Sequence, residues 1–144
     1  MRRRDLFALG TLAVAATAAG SASAGGPTSS SGTVAPSLNI AGVGVPIIAG
    51  GRIRNYVFVT LRLTLGSGQT PEMMRAKEPY YRDALVRQAH RTPFVLADDW
   101  TRVDSEAISA WLMRAAPSIS GAGSIASAEV ALQTPRRRTG VRPV

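Results

Sequence analysis

Between Tyr56 and Leu65 the chain alternates without a break. Val57, Val59, Leu61, Leu63 and Leu65 are aliphatic, and Tyr56, Phe58, Thr60, Arg62 and Thr64 stand between them. A helix, with side chains repeating about every 3.6 residues, would scatter these aliphatics around its circumference. A strand repeats every second residue and puts all five on one buried face. Its other face begins with two aromatics and turns polar further along. Upstream, 38–48 is apolar and β-branched. Pro46 places that segment at a sheet edge, because proline has no N–H to give a neighbouring strand. Ala49-Gly50-Gly51-Arg52 supplies a hairpin turn between the two, glycine tolerating positive φ. Gly66-Ser67-Gly68 ends the second strand.

Helix signals follow. Thr70 is an N-cap, Pro71 fits the first helical position, and Glu72 suits the positive end of the helix dipole. Met73, Met74 and Ala76 begin an apolar face, and Pro79 predicts a kink or a restart. Tyr81, Leu85 and Ala89, with Ala84 beside them, continue the stripe, and Pro93 stops it. A short third strand is predicted at 94–96. A second helix is capped by Asp104, with Glu106 in its first turn and Ile108, Trp111, Leu112 and Ala115 as its buried stripe. Pro117 is expected to end it. Gly121 and Gly123 form a loop, and 124–133 is the last strand. The expected fold class is α+β, in the order β-β-α-β-α-β. About four strands form a mixed or mostly antiparallel sheet, with two helices on one face. The chain has no internal repeat.

The termini read differently. Arg2, Arg3 and Arg4 form a positive leader, 6–20 is a mildly apolar uncharged stretch, and Ala22-Ser23-Ala24 fits a small-residue cleavage site. Residues 1–24 are therefore read as an export signal cut before Gly25. Arg3, Arg4, Leu6 and Phe7 resemble the twin-arginine export motif, an address read by a receptor rather than an anchor. General secretory export and retention as an anchor remain open, although a spanning helix needs roughly 20 apolar residues. The expected location is periplasmic or secreted, with the export machinery as a first partner. Residues 25–36 read as a flexible Gly/Ser/Pro tether, 37–133 as the folded domain, and 134–144 as a disordered basic tail.

The chain has no cysteine, which excludes disulfides, thiolate metal sites and thiol catalysis. Its formal charge is +8, and without the signal it is +6. Sixteen of its 17 basic residues are arginine, Lys77 being the exception. Such a surface attracts anionic lipid, wall polymers or an acidic partner, and arginine-rich codon usage alone also produces it.

Val45-Pro46-Ile47-Ile48, Gly51 and 56–63 (YVFVTLRL) resemble the opening strands of the periplasmic domain of FliL, the flagellar basal-body-associated protein. Pro79-Tyr80-Tyr81-Arg82-Asp83-Ala84-Leu85-Val86 resembles the start of that family's main helix. The capped helix from Asp104 and the strand 124–133 resemble its close. The resemblance covers about 100 residues. It implies a stomatin-like α+β fold and a non-enzymatic role beside the motor's stator units. The chain departs from the family in its cleavable leader and in lacking a glycine turn between Phe94 and Thr101.

Catalytic chemistry finds few residues to work with. His90 is the single histidine and reads as a helix-end residue. Asp98 and Asp99, with Asp104 and Glu106 nearby, lack the spaced ligands of a calcium loop and read as turn formers and caps. No serine lies in a Gly-x-Ser-x-Gly elbow, and Gly121-Ala122-Gly123 lacks the rest of a dinucleotide fingerprint. No catalytic residue, cofactor or metal site is expected, and no nucleic-acid partner. The candidate contact residues are Tyr56, Phe58 and Arg62 on the strand's second face, and Arg136, Arg137 and Arg138 in the tail. The expected function is non-enzymatic binding or scaffolding in the bacterial envelope, with an envelope protein as partner, a flagellar stator in the FliL-like case. The alternative is an adaptor for anionic envelope material, including a membrane surface, through the arginines.

Overall fold

The alternating segment is the central strand of a three-stranded antiparallel sheet. The computed structural model describes residues 34–138. Strands β1 (Ser37–Ala49), β2 (Arg52–Leu65) and β3 (Ile125–Pro135) lie in the order β1-β2-β3. Helices α1 (Pro71–Arg75), α2 (Glu78–Arg91) and α3 (Ser105–Ser120) connect β2 to β3. The architecture is α+β, with both strand pairs antiparallel. Signal residues 1–24 and most of the tether lie outside the described residues, as does the tail from 139 onward.

The five alternating aliphatics of β2, from Val57 to Leu65, are all buried. Gly50 and Gly51, at φ +60° and +69°, turn the chain between β1 and β2, as the glycine pair predicts. β1 faces the core by a device that its sequence conceals. Leu38 and Ile40 pair with Leu63 and Leu61, and Val43 and Val45 pair with Val59 and Val57. One extra residue therefore sits in β1 between Ile40 and Val43, and it switches the inward positions from even to odd. Gly42, at φ +68°, takes the conformation that such a bulge requires. Arg82 donates a hydrogen bond to the Ala41 carbonyl there (2.9 Å). Pro46 lies on an edge strand, as expected.

The helices close over this aliphatic face. Met74 of α1, Tyr81, Leu85 and Ala89 of α2, and Ile108, Leu112 and Ala116 of α3 join the β-strand aliphatics in one core. Thr70 caps α1 by accepting from the Met73 amide (3.3 Å), and Asp104 caps α3 by accepting from Ala107 (3.0 Å). Pro79 marks a restart, and its place in the first turn of α2 makes three helices of the expected two.

Three other expectations need correction. The 94–96 strand does not join the sheet; Val95 makes a single antiparallel bridge to Val103, so the sheet has three strands and not four. Pro117 does not end α3, which runs on to Ser120, with Gly121 donating to the Pro117 carbonyl (3.2 Å). A proline removes one helical hydrogen bond, and here the orphaned carbonyl belongs to Met113, on the exposed side of the helix. Trp111 is half-buried rather than core, its ring edge-on to Phe94 at 6.3 Å.

Two contacts tie the start of β3 to the rest. Near its start, the Gly66 amide donates to the Ser124 carbonyl (2.9 Å), and a Cβ on Gly66 would lie 1.8 Å from the Gly123 oxygen. Only glycine fits that approach. Close by, the buried Tyr81 hydroxyl bonds to Ser120, and the Ser120 and Ser124 hydroxyls lie 2.6 Å apart. Burial pushes the Tyr81 hydroxyl above its ordinary pKa, and the two serines partly offset this.

Candidate functional site

The sheet has a second face, and no described element covers it. Register places Tyr56 beside Pro46, Phe58 between Gly44 and Thr134, Thr60 beside Leu132, and Arg62 between Asn39 and Glu129. Phe58 is 43% exposed and Leu132 59%. The Phe58 ring lies against Gly44, since a Cβ there would sit 3.4 Å from its edge. Arg62 is held by Glu129 across the strands (3.3 Å), an exposed pair that contributes little stability. The face is therefore an apolar centre with a polar rim.

One end of this face is basic. The buried Asn55 organises it. Its amide nitrogen donates to the carbonyls of Trp100 (2.9 Å) and Arg137 (3.1 Å), and its oxygen accepts from the amides of Tyr56 (2.9 Å) and Arg137 (3.2 Å). The Arg136 amide donates to the Tyr56 carbonyl (2.8 Å). The Arg54 guanidinium stacks over Trp100, 5.2 Å from the ring centre, and its Nε donates to the Ala49 carbonyl (3.1 Å). Ile53, Arg54, Asn55, Tyr56, Arg136 and Arg137 together line a shallow pocket of about 100 Å³.

Of the expected contact residues, Tyr56, Phe58 and Arg62 share the uncovered face, and Arg136 and Arg137 come to its Tyr56 end. Arg138 is exposed and does not line the pocket. The export-signal residues Arg3, Arg4, Leu6, Phe7, Ala22 and Ala24 lie outside the described residues. The expected tail boundary moves: Thr134 and Pro135 belong to β3, and the next two residues are bonded to β2. Sequence reading missed Arg54, Asn55 and Trp100. Asn55 carried a readable signal, because it extends the alternation of β2 by one inward step and is polar there.

Three further candidates, Asp99, Asp104 and His90, have local roles. Asp99 accepts from the Thr101 amide (2.7 Å) and hydroxyl (2.6 Å), and Asp104 is the α3 cap. His90 sits exposed in the last turn of α2, its Nδ1 2.8 Å from the Val86 carbonyl. Among the described residues, no three His, Asp or Glu side chains group as metal ligands would. A second concavity of about 350 Å³ lies between α2 and α3, with Phe94, Trp111, Asp104 and Arg114 on its wall. No helix among the described residues is long and apolar enough to cross a membrane.

No protein-family model, curated protein or solved structure matches this chain.

Proposed function

We propose that this chain is an exported, non-enzymatic binding or scaffold protein of the bacterial envelope, which docks a protein partner on the uncovered face of its sheet. The observation that carries this reading is that Phe58 and Leu132, which is the register partner of Thr60, are both exposed on the same sheet face, whose opposite side is packed. Exposed apolar centres with polar rims are a common form of protein-docking surface. Asp99 in a turn, Asp104 as a cap and His90 at a helix end support a binding role over a catalytic one. The specific form of the reading is a FliL-like one: a stomatin-like domain working beside flagellar stator units.

The test is a pull-down from envelope extracts with the tagged chain at low and high salt, beside a Phe58→Ser/Leu132→Ser variant. A discrete partner should persist at high salt and be lost in the variant. Stator proteins in the catch support the FliL-like form. Capture that vanishes at high salt and ignores the double substitution overturns the reading.

A further inference from the structure

The arginine pocket at the end of the sheet is electrostatically unfinished. Arg54, Arg136 and Arg137 line it, and among the described residues no carboxylate does. Among the described residues, Glu129, Glu78 and Asp83 pair with Arg62, Arg82 and Arg87 and not with the pocket arginines. Asp99, which precedes Trp100 in the chain, accepts from the Thr101 amide and hydroxyl. Like charges brought together repel, and a bound anion removes that repulsion.

The scaffold under these charges is built rather than incidental. Asn55 uses both donors and its acceptor oxygen to fasten Arg137 and the Trp100 loop to β2. The backbone amide of Arg136 is fixed to Tyr56. Arg54 is held from two sides, by its Nε bond to Ala49 and by the Trp100 ring. Its terminal nitrogens stay available, and a guanidinium presents them in a planar fork that matches phosphate oxygens in pairs.

We infer that this pocket binds a phosphate group, independently of any protein docked on the sheet face. Three guanidiniums suit a group of one to two negative charges with several acceptor oxygens better than a single carboxylate. The volume of about 100 Å³ has room for one such group. The Asn55 amide is spent internally, so recognition is of the anion and not of what it is attached to. The phosphate belongs either to a soluble phosphate compound or to a lipid headgroup.

Trp100 provides the readout, because Arg54 rests on it. In the full chain carrying Trp111→Phe, Trp100 is the remaining tryptophan. Its emission is titrated with inorganic phosphate at constant ionic strength, then with phosphatidylglycerol and phosphatidylcholine vesicles. The site predicts a saturating response, weakened at least tenfold by Arg54→Gln/Arg137→Gln and unchanged by the charge-matched Arg75→Gln/Arg91→Gln. A response to inorganic phosphate alone assigns a soluble ligand; a stronger one to phosphatidylglycerol vesicles assigns the headgroup. Calorimetry on the unsubstituted chain repeats the phosphate arm without relying on Trp111→Phe. The absence of a saturable response in every arm, or equal weakening by both double variants, overturns the site.

Discussion

Val57, Val59, Leu61, Leu63 and Leu65 alternate along β2 with Tyr56, Phe58, Thr60, Arg62 and Thr64, yet the two sets meet different surroundings. The first set is closed over by three helices and has almost no exposed surface. The second is left uncovered by the described elements, with Phe58 and Leu132 at its centre and arginines at one end. Burying a large aliphatic side chain contributes roughly 1.5–3 kcal/mol, so the stability of the sheet resides on one face. The other face is under little packing constraint and is available for recognition. One strand thus serves both purposes because its side chains point alternately to opposite sides.

The sharpest way to break this comparison is to substitute each face in turn. Leu61→Ala should cost about 2–5 kcal/mol in urea unfolding, since the side chain is wholly buried and the cavity cannot fully collapse. An effect below about 1 kcal/mol would mean that the helices do not close over β2 as described.

Gly66→Ala tests the contact that brings β3 beside β2. The added methyl would collide with the Gly123 carbonyl, a backbone atom with little freedom to retreat. A loss of about 1–3 kcal/mol is expected, with the midpoint lowered and the denaturant slope unchanged.

Asn55→Ala should cost about 1–3 kcal/mol by leaving the Trp100 and Arg137 carbonyls and the Arg137 amide without their partner. Trypsin should then cut faster after Arg136 and Arg137, because their backbone is no longer pinned. Unchanged cleavage would separate the arginine pocket from Asn55.

Tyr81→Phe probes the covered side with a smaller change, about 1 kcal/mol for the lost bond to Ser120. It also carries a pH signature. Burial raises the folded pKa above the unfolded value of about 10, so the stabilisation is fully present below that value. As pH climbs further, the unfolded chain releases its proton first, and stability falls until the folded pKa is passed. The phenylalanine variant should lose stability less steeply above pH 10.

Phe58→Ser should have the least effect on folding, within about 0.5 kcal/mol, as expected of exposed sites. A cost comparable with Leu61→Ala would show that something covers the open face.

Much of this was legible beforehand where the governing physics is local. The Thr70 and Asp104 caps, the Gly50-Gly51 turn and the Tyr81-Leu85-Ala89 stripe each depend on residues within one or two turns of one another. The failures share a different character. Residues 94–96 have strand-like composition, but whether a neighbour stands within pairing distance depends on the path of the chain, and here only Val103 does. Pro117 reads as a stop, yet its position on the exposed side leaves the orphaned Met113 carbonyl open to water.

The sequence by itself determined that β2 is a strand, which of its faces is buried, and where the helices begin, because periodicity and capping are settled within a few residues. The tertiary structure alone decided that no described element covers the second face. It also shifted the inward register of β1 at Gly42, and it brought Asn55 to Trp100 and Arg137, 45 and 82 positions away. Such contacts form only when packing has offset the entropy of closing long loops, and no local pattern records which distant residues will meet.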